Sequence, residues 1–149
     1  MTLFNVEDNR TIVARIQSLQ PDTPNKWGKM NVAQMLAHCV QPMKIAFREV
    51  QSKRGLIGFL FGGMAKRKYI TGANDFDKNL PTHPTFVQTG TPDFSAQKEL
   101  LISYVQRWIT EGSAAITTDE HPFFGKMSAE EWDILMLKHL DHHLRQFGA

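Results

Sequence analysis

Three of the chain's six histidines, His139, His142 and His143, fall within five residues in the stretch LMLKHLDHHLRQFGA. A neutral imidazole offers one lone pair to a metal ion, so histidines at helical spacing are candidate ligands for zinc or nickel. At 100° per residue, Trp132, Leu135, Met136, His139, Leu140, His143 and Phe147 share one helix face. His139 and His143 lie at its centre, one turn apart. His142 falls near its edge, and Lys138, Asp141 and Arg145 point away. A cationic ring near a helix C-terminus gains about 0.3–1 kcal/mol from the macrodipole, and that role suits His142 best. It suits the inward pair poorly, because each ring in an apolar stripe needs partners for both nitrogens. A divalent ion would satisfy two of those four nitrogens at once. A hydrogen-bonded core pair is the competing arrangement, and the H-x-x-x-H spacing alone does not decide between them.

A third ligand would, and an earlier helix offers His38. By helical rise, His38 sits about 10 Å from the helix start at Asn31, and His143 and His139 sit about 6 and 12 Å from the end of the last helix. The three rings are level only if the two helices run antiparallel. Pro42, four residues after His38, cannot donate to the His38 carbonyl, so a kink and a freed acceptor are expected there. A packing kink without any role is the better single explanation of Pro42. Cys39 is a possible soft ligand, but its place in the apolar stripe fits a small buried hydrophobe.

The elements that must position these residues are helical. The spacing of Ile12, Val13, Ile16 and Leu19 predicts a helix over Val6–Leu19, stopped by Pro21. After the connector PDTPNKWGKM, Asn31 is a good N-cap for a second helix reaching about Val50. Its buried face is Val32, Met35, Leu36, Cys39, Met43, Ala46 and Phe47. From Gln51 to Pro92 glycine and proline recur, with a short helix expected over Leu56–Tyr69 and extended or turn structure from Asn79. The third long helix is capped by Asp93 and runs from Phe94 to about Ile109. Ser128 and Glu131 form a capping box for the last, which ends at Phe147 with Gly148 as the stop. The fold class is therefore all-α, with four long helices in one domain over residues 1–149. The segment between the second and third long helices is long enough to cross over a bundle, and such a crossover makes the second and last helices antiparallel. Loop length and histidine levels agree independently.

Composition closes off other classes. A formal net charge of +2 without a basic stripe argues against nucleic acid. A single cysteine excludes an intrachain disulfide and any C-x-x-C motif. The start, MTLFNVEDNR, lacks the features of a signal peptide, and the weakly polar run Gly55–Ala65 is about half the length of a spanning helix, so a cytoplasmic protein is expected. The segment KRGLIGFLFGGMAKRK, with Lys53, Arg54, Lys66, Arg67 and Lys68 around an apolar middle, could lie on a membrane surface. Its glycines fit a crossover helix packed on the bundle better. Ile134, Leu137 and Leu144 lie off the histidine face, a flank suited to a homodimer or to cover by the crossover.

The stretch WGKMNVAQMLAHC, followed far downstream by HPFFGKMSAEEWDILMLKHLDHHLRQFG, resembles the DinB/YfiT-like superfamily, in particular a branch of unknown function with this C-terminal signature. The resemblance extends through NLPTHP and covers nearly the whole chain. It implies a DinB-like four-helix bundle of up-down-down-up course with one long crossover. It also implies one divalent metal ion, zinc or nickel, held by His38, His139 and His143. Characterised relatives include thiol-dependent transferases and hydrolases that use the metal to activate a thiol or water.

Two functional readings follow. Three neutral imidazoles leave a divalent ion an open position, as in catalytic sites, so the first is a metal-dependent enzyme acting on a small molecule, with a low-molecular-weight thiol as a possible cosubstrate. The second is a bundle that binds a metal or small ligand without turnover. A diiron oxidase is disfavoured by the absence of an E-x-x-H pair. No further acid or base is evident beside the three rings. Gln146 and Gln34, each one turn from a histidine, are candidates for holding a ring tautomer. Trp27, His83 and Phe86 are candidates for the rim of the site. His121, in the HPFFG motif, is expected at the opposite end, with Pro122, Phe123 and Phe124 packing the approach to the last helix.

Overall fold

The structure, a computed structural model, describes residues 1–51, 55–80 and 86–149. Five α-helices are present, with no strand among the described residues: α1 (Val6–Ser18), α2 (Val32–Ala46), α3 (Leu56–Tyr69), α4 (Phe94–Thr110) and α5 (Ala129–Gln146). Side chains start four of them, all but α3. Asn5 accepts from Glu7 and Asp8, Asp93 accepts from Ala96, and full capping boxes pair Asn31 with Gln34 and Ser128 with Glu131.

Helix α2 packs against α4 and α5, and α1 packs against the same two helices. Its position between neighbours explains why its burial is wider than a single stripe: Ala37, Val40 and Ile45 are buried along with the expected face. Trp108 of α4 and Trp132 of α5 are fully buried, and the Trp108 indole N–H points at the Met43 sulfur (3.4 Å). Two buried polar side chains tie the N-terminal segment down. Asn9 donates to the carbonyls of Leu3 and Val105, and Asp133 accepts from the Leu3 N–H.

Helix α2 stops at Ala46, not near Val50. Arg48 takes a positive φ of 62°, and the amides of Glu49 and Val50 turn back to the Lys44 carbonyl. This is the αL termination that glycine normally provides. Glu49 is held in the resulting turn by Tyr104 and Arg107 of α4, and Arg48 donates to the Ile116 carbonyl. The gain from those partners offsets the strained backbone.

The connector before α2 lies against the end of α5, and α2 itself meets α5 through His38. Just before α2, Lys26 N–H donates to the Gln146 carbonyl (2.7 Å) at the end of α5, whereas farther along α2 His38 lies against His143 and His139. Between α2 and α4, α3 seats Gly58 and Gly62 on the backbone of Pro122–Phe124. Its opposite side leaves Leu56, Ile57, Leu60, Phe61 and Met64 exposed. Lys138 anchors the segment after α3, donating to the carbonyls of Tyr69, Gly72 and Asn74. Leu144 belongs to the core, with Ile134 and Leu137 half-buried against it. No helix among the described residues is long and apolar enough to cross a membrane.

Candidate metal centre

His38, His139 and His143 come together in a group that could hold a metal ion, one ligand atom from each lying within 4.8 Å of the others. Each ring owes its place to a different local feature. His38 projects from the second turn of α2, whose start is fixed by the Asn31 capping box. His139 and His143 stand one turn apart on α5 with ring centroids 4.7 Å from each other. The His38 ring lies 4.9 Å from that of His139 and 4.7 Å from that of His143. His38 and His143 are buried, and His139 keeps partial contact with solvent.

The hydrogen bonds behind the rings set their tautomers. His38 Nδ1 is 3.0 Å from the Phe86 carbonyl, which can only accept, so the proton sits on Nδ1 and Nε2 keeps its lone pair. His143 Nδ1 is 2.8 Å from Gln146 Oε1. The amide cannot be turned round, because Gln146 Nε2 donates to the Trp27 carbonyl at 2.7 Å. His143 therefore also carries its proton on Nδ1 and presents a bare Nε2. Gly28 makes this bond possible: it has φ +80°, and a Cβ there would lie 2.5 Å from Gln146 Nε2. His38 Nε2 and His139 Nε2 face each other at 2.9 Å, so without an ion His139 must donate into the lone pair of His38.

Three imidazoles with converging ligand nitrogens, two of them held from behind through Nδ1, fit a zinc-type ion. Zinc–nitrogen bonds of about 2.0–2.1 Å in a tetrahedral set place ligand atoms about 3.4 Å apart. Modest ring rotations would open the 2.9 Å pair to that spacing. The electrostatics favour the neutral state that ligation needs. Burial, and then the nearby imidazole His38, push His143 down to about 3. Desolvation and the neighbouring His143 and His38 hold His139 well below the usual histidine range, and burial lowers His38.

The other candidates from the sequence take different places. Gln34 does not touch a ring: it caps α2, and its amide donates to the Gly90 carbonyl. Capping Asn31 turns its side chain back toward the helix start. Phe86 acts through its backbone carbonyl, a role no side-chain pattern announces. Trp27 also contributes a carbonyl, and its ring lies edge-on to His142 at 5.7 Å. His142 is half-buried and stands outside the trio, 5.1 Å from the His143 ring. His83 lies outside the described residues. His121 is buried near the start of α5 against Trp132, and its Nδ1 accepts from the amides of Phe123 and Phe124. Cys39 is buried beside Met35, and burial pushes its thiol up, so it behaves as a small core residue.

A family model described as "Protein of unknown function (DUF1569)" matches residues 2–149. The chain belongs to the DUF1569 family. No curated protein and no solved structure matches it. The match spans both halves of the histidine group, so the DUF1569 chain contains the site within one unit of homology.

Proposed function

We propose that this DUF1569 protein is a metal-dependent enzyme related to the DinB-like superfamily, of the thiol-dependent transferase or hydrolase type. The ligands are His38, His139 and His143, and the ion is zinc or nickel. In the same reading, α1, α2, α4 and α5 make the up-down-down-up four-helix bundle and α3 belongs to its crossover. The observation that carries the proposal is the pair of bare Nε2 atoms fixed by Phe86 and Gln146.

A divalent ion held by three neutral imidazoles keeps an open position, where it lowers the pKa of a water or thiol bound to it. The chain's own residues perform the remaining tasks. His38 and His143 hold their tautomers through the Phe86 carbonyl and the Gln146 amide.

The test is a screen of thiol transfer and of ester and amide hydrolysis, with untagged protein before and after chelation. Activity that disappears with the metal and returns with zinc or nickel is expected. A fully loaded protein that turns over neither class contradicts the catalytic reading and leaves a binding role.

A further inference from the structure

Beside the histidine group lies a cavity of about 510 Å³, within the range of small-molecule sites. Three separate parts of the chain build it: the connector before α2, the loop after α3 and the last two turns of α5. Each contributes one cation, Lys26, Lys78 and Arg145 respectively. Asp75 is the acidic side chain in the lining, already engaged by Arg145 at 3.3 Å; Gly148 and Ala149 also line the cavity, and the Ala149 oxygen is engaged by Arg15. Arg145 is engaged a second time by Asp141 at 3.0 Å, so its charge is largely countered. Lys26 and Lys78 form no ion pair among the described residues, and they leave the cavity net positive. The remaining walls are the rings of Trp27, Phe76 and His142. Lys78 Nζ stands 4.4 Å over the Trp27 ring, so cationic and aromatic surface are adjacent.

The cavity is coupled to the histidine group by shared residues. The His142 ring faces Trp27 and Phe76 on one side and His143 on the other. The Trp27 carbonyl holds Gln146, which holds His143. We propose that this cavity binds the anionic end of the substrate: an organic phosphate or carboxylate whose apolar body lies against Trp27 and Phe76. The anion sits between Lys26 and Lys78, and the body extends past His142 toward the three histidines. The substrate class rests on reading the histidine group as the reaction centre, but the anion site stands on its own residues.

Calorimetric titration of phenyl phosphate and phenylacetate into the metal-stripped full chain tests it, with benzyl alcohol as the uncharged control. Both anions are expected to bind without metal, and benzyl alcohol at least tenfold more weakly. The double variant Lys26→Gln/Lys78→Gln should lose at least tenfold in affinity, while Arg10→Gln on α1 should change nothing. Both replaced lysines are exposed, so the fold is retained. Raising salt from low to high should weaken the wild-type affinity in parallel, because exposed charges are screened. Equal binding of benzyl alcohol, or undiminished binding by the double variant, overturns the proposal. Anion binding that requires loaded metal assigns the anion to the histidine group and overturns it as well. A protein that binds no metal yet still binds both anions would instead sink only the enzymatic reading above.

Discussion

Gln146 makes two bonds at the candidate centre, and neither can be kept by an apolar replacement of similar size. Its Oε1 accepts from His143 Nδ1, and its Nε2 donates to the Trp27 carbonyl. Gln146→Leu should lower metal affinity by about 10–100-fold, the usual cost of losing the group that orients a histidine ligand. Competition with a chromophoric chelator measures it, and an unchanged affinity would detach Gln146 from the site. The same rings set a pH dependence for the metal-free protein. His143 titrates near 3 when folded and near its ordinary 6.5 when unfolded, and His38 and His139 shift in the same direction. The unfolded chain therefore takes up protons that the folded chain refuses. The His143 contribution is complete above about pH 6.5 and falls as pH drops toward 3, by up to about 1.4 kcal/mol per pH unit, with His38 and His139 acting in the same direction. Denaturant unfolding of stripped protein at pH 7.5 and 5.5 checks the sign. Much at this scale was legible. The i, i+4 spacing, the level of His38 and the place of Gln146 one turn from a ring are all periodic signals. The carbonyls of Phe86 and Trp27 were not, because a backbone acceptor has no residue type to read.

At the scale of elements, α3 packs through the glycines that the sequence singled out, not through its apolar side chains. Its apolar residues invite burial, yet its docking face is Gly58 and Gly62, and Leu56, Ile57 and Leu60 face outward. The reason is distance. A Cβ at Gly62 would lie 1.9 Å from the Phe123 carbonyl oxygen, so only a bare backbone approaches the HPFFG loop this closely. Gly63 meets nothing within 4 Å. Gly62→Ala should therefore undock α3 at a cost of about 1–3 kcal/mol, as overpacking does. Gly63→Ala should be neutral or stabilise by up to about 1 kcal/mol through helix propensity. Thermal melts together with amide exchange along α3 separate the two, and equal behaviour would contradict the docked face. The end of α2 was illegible for a related reason. A positive φ at Arg48 has no glycine to announce it and is held by tertiary partners of Arg48 and Glu49.

Across the whole molecule, the site depends on segments far apart in sequence. His38 meets α5 more than a hundred residues away, and the Phe86 carbonyl behind it comes from the stretch between α3 and α4. The meeting of His38 with the α5 pair was readable from the histidine levels. The packing of the stretch between α2 and α4 was not, since it depends on Lys138 gathering three carbonyls. The central claim, one ion per chain on three named rings, is tested most directly by elemental analysis of wild-type protein beside two variants. His143→Ala should lose stoichiometric zinc or nickel while remaining folded by circular dichroism. His142→Ala, altering the adjacent ring that stands outside the trio, should keep about one ion per chain. Equal metal content in the two variants, or a wild-type chain that takes up neither ion, would contradict the account.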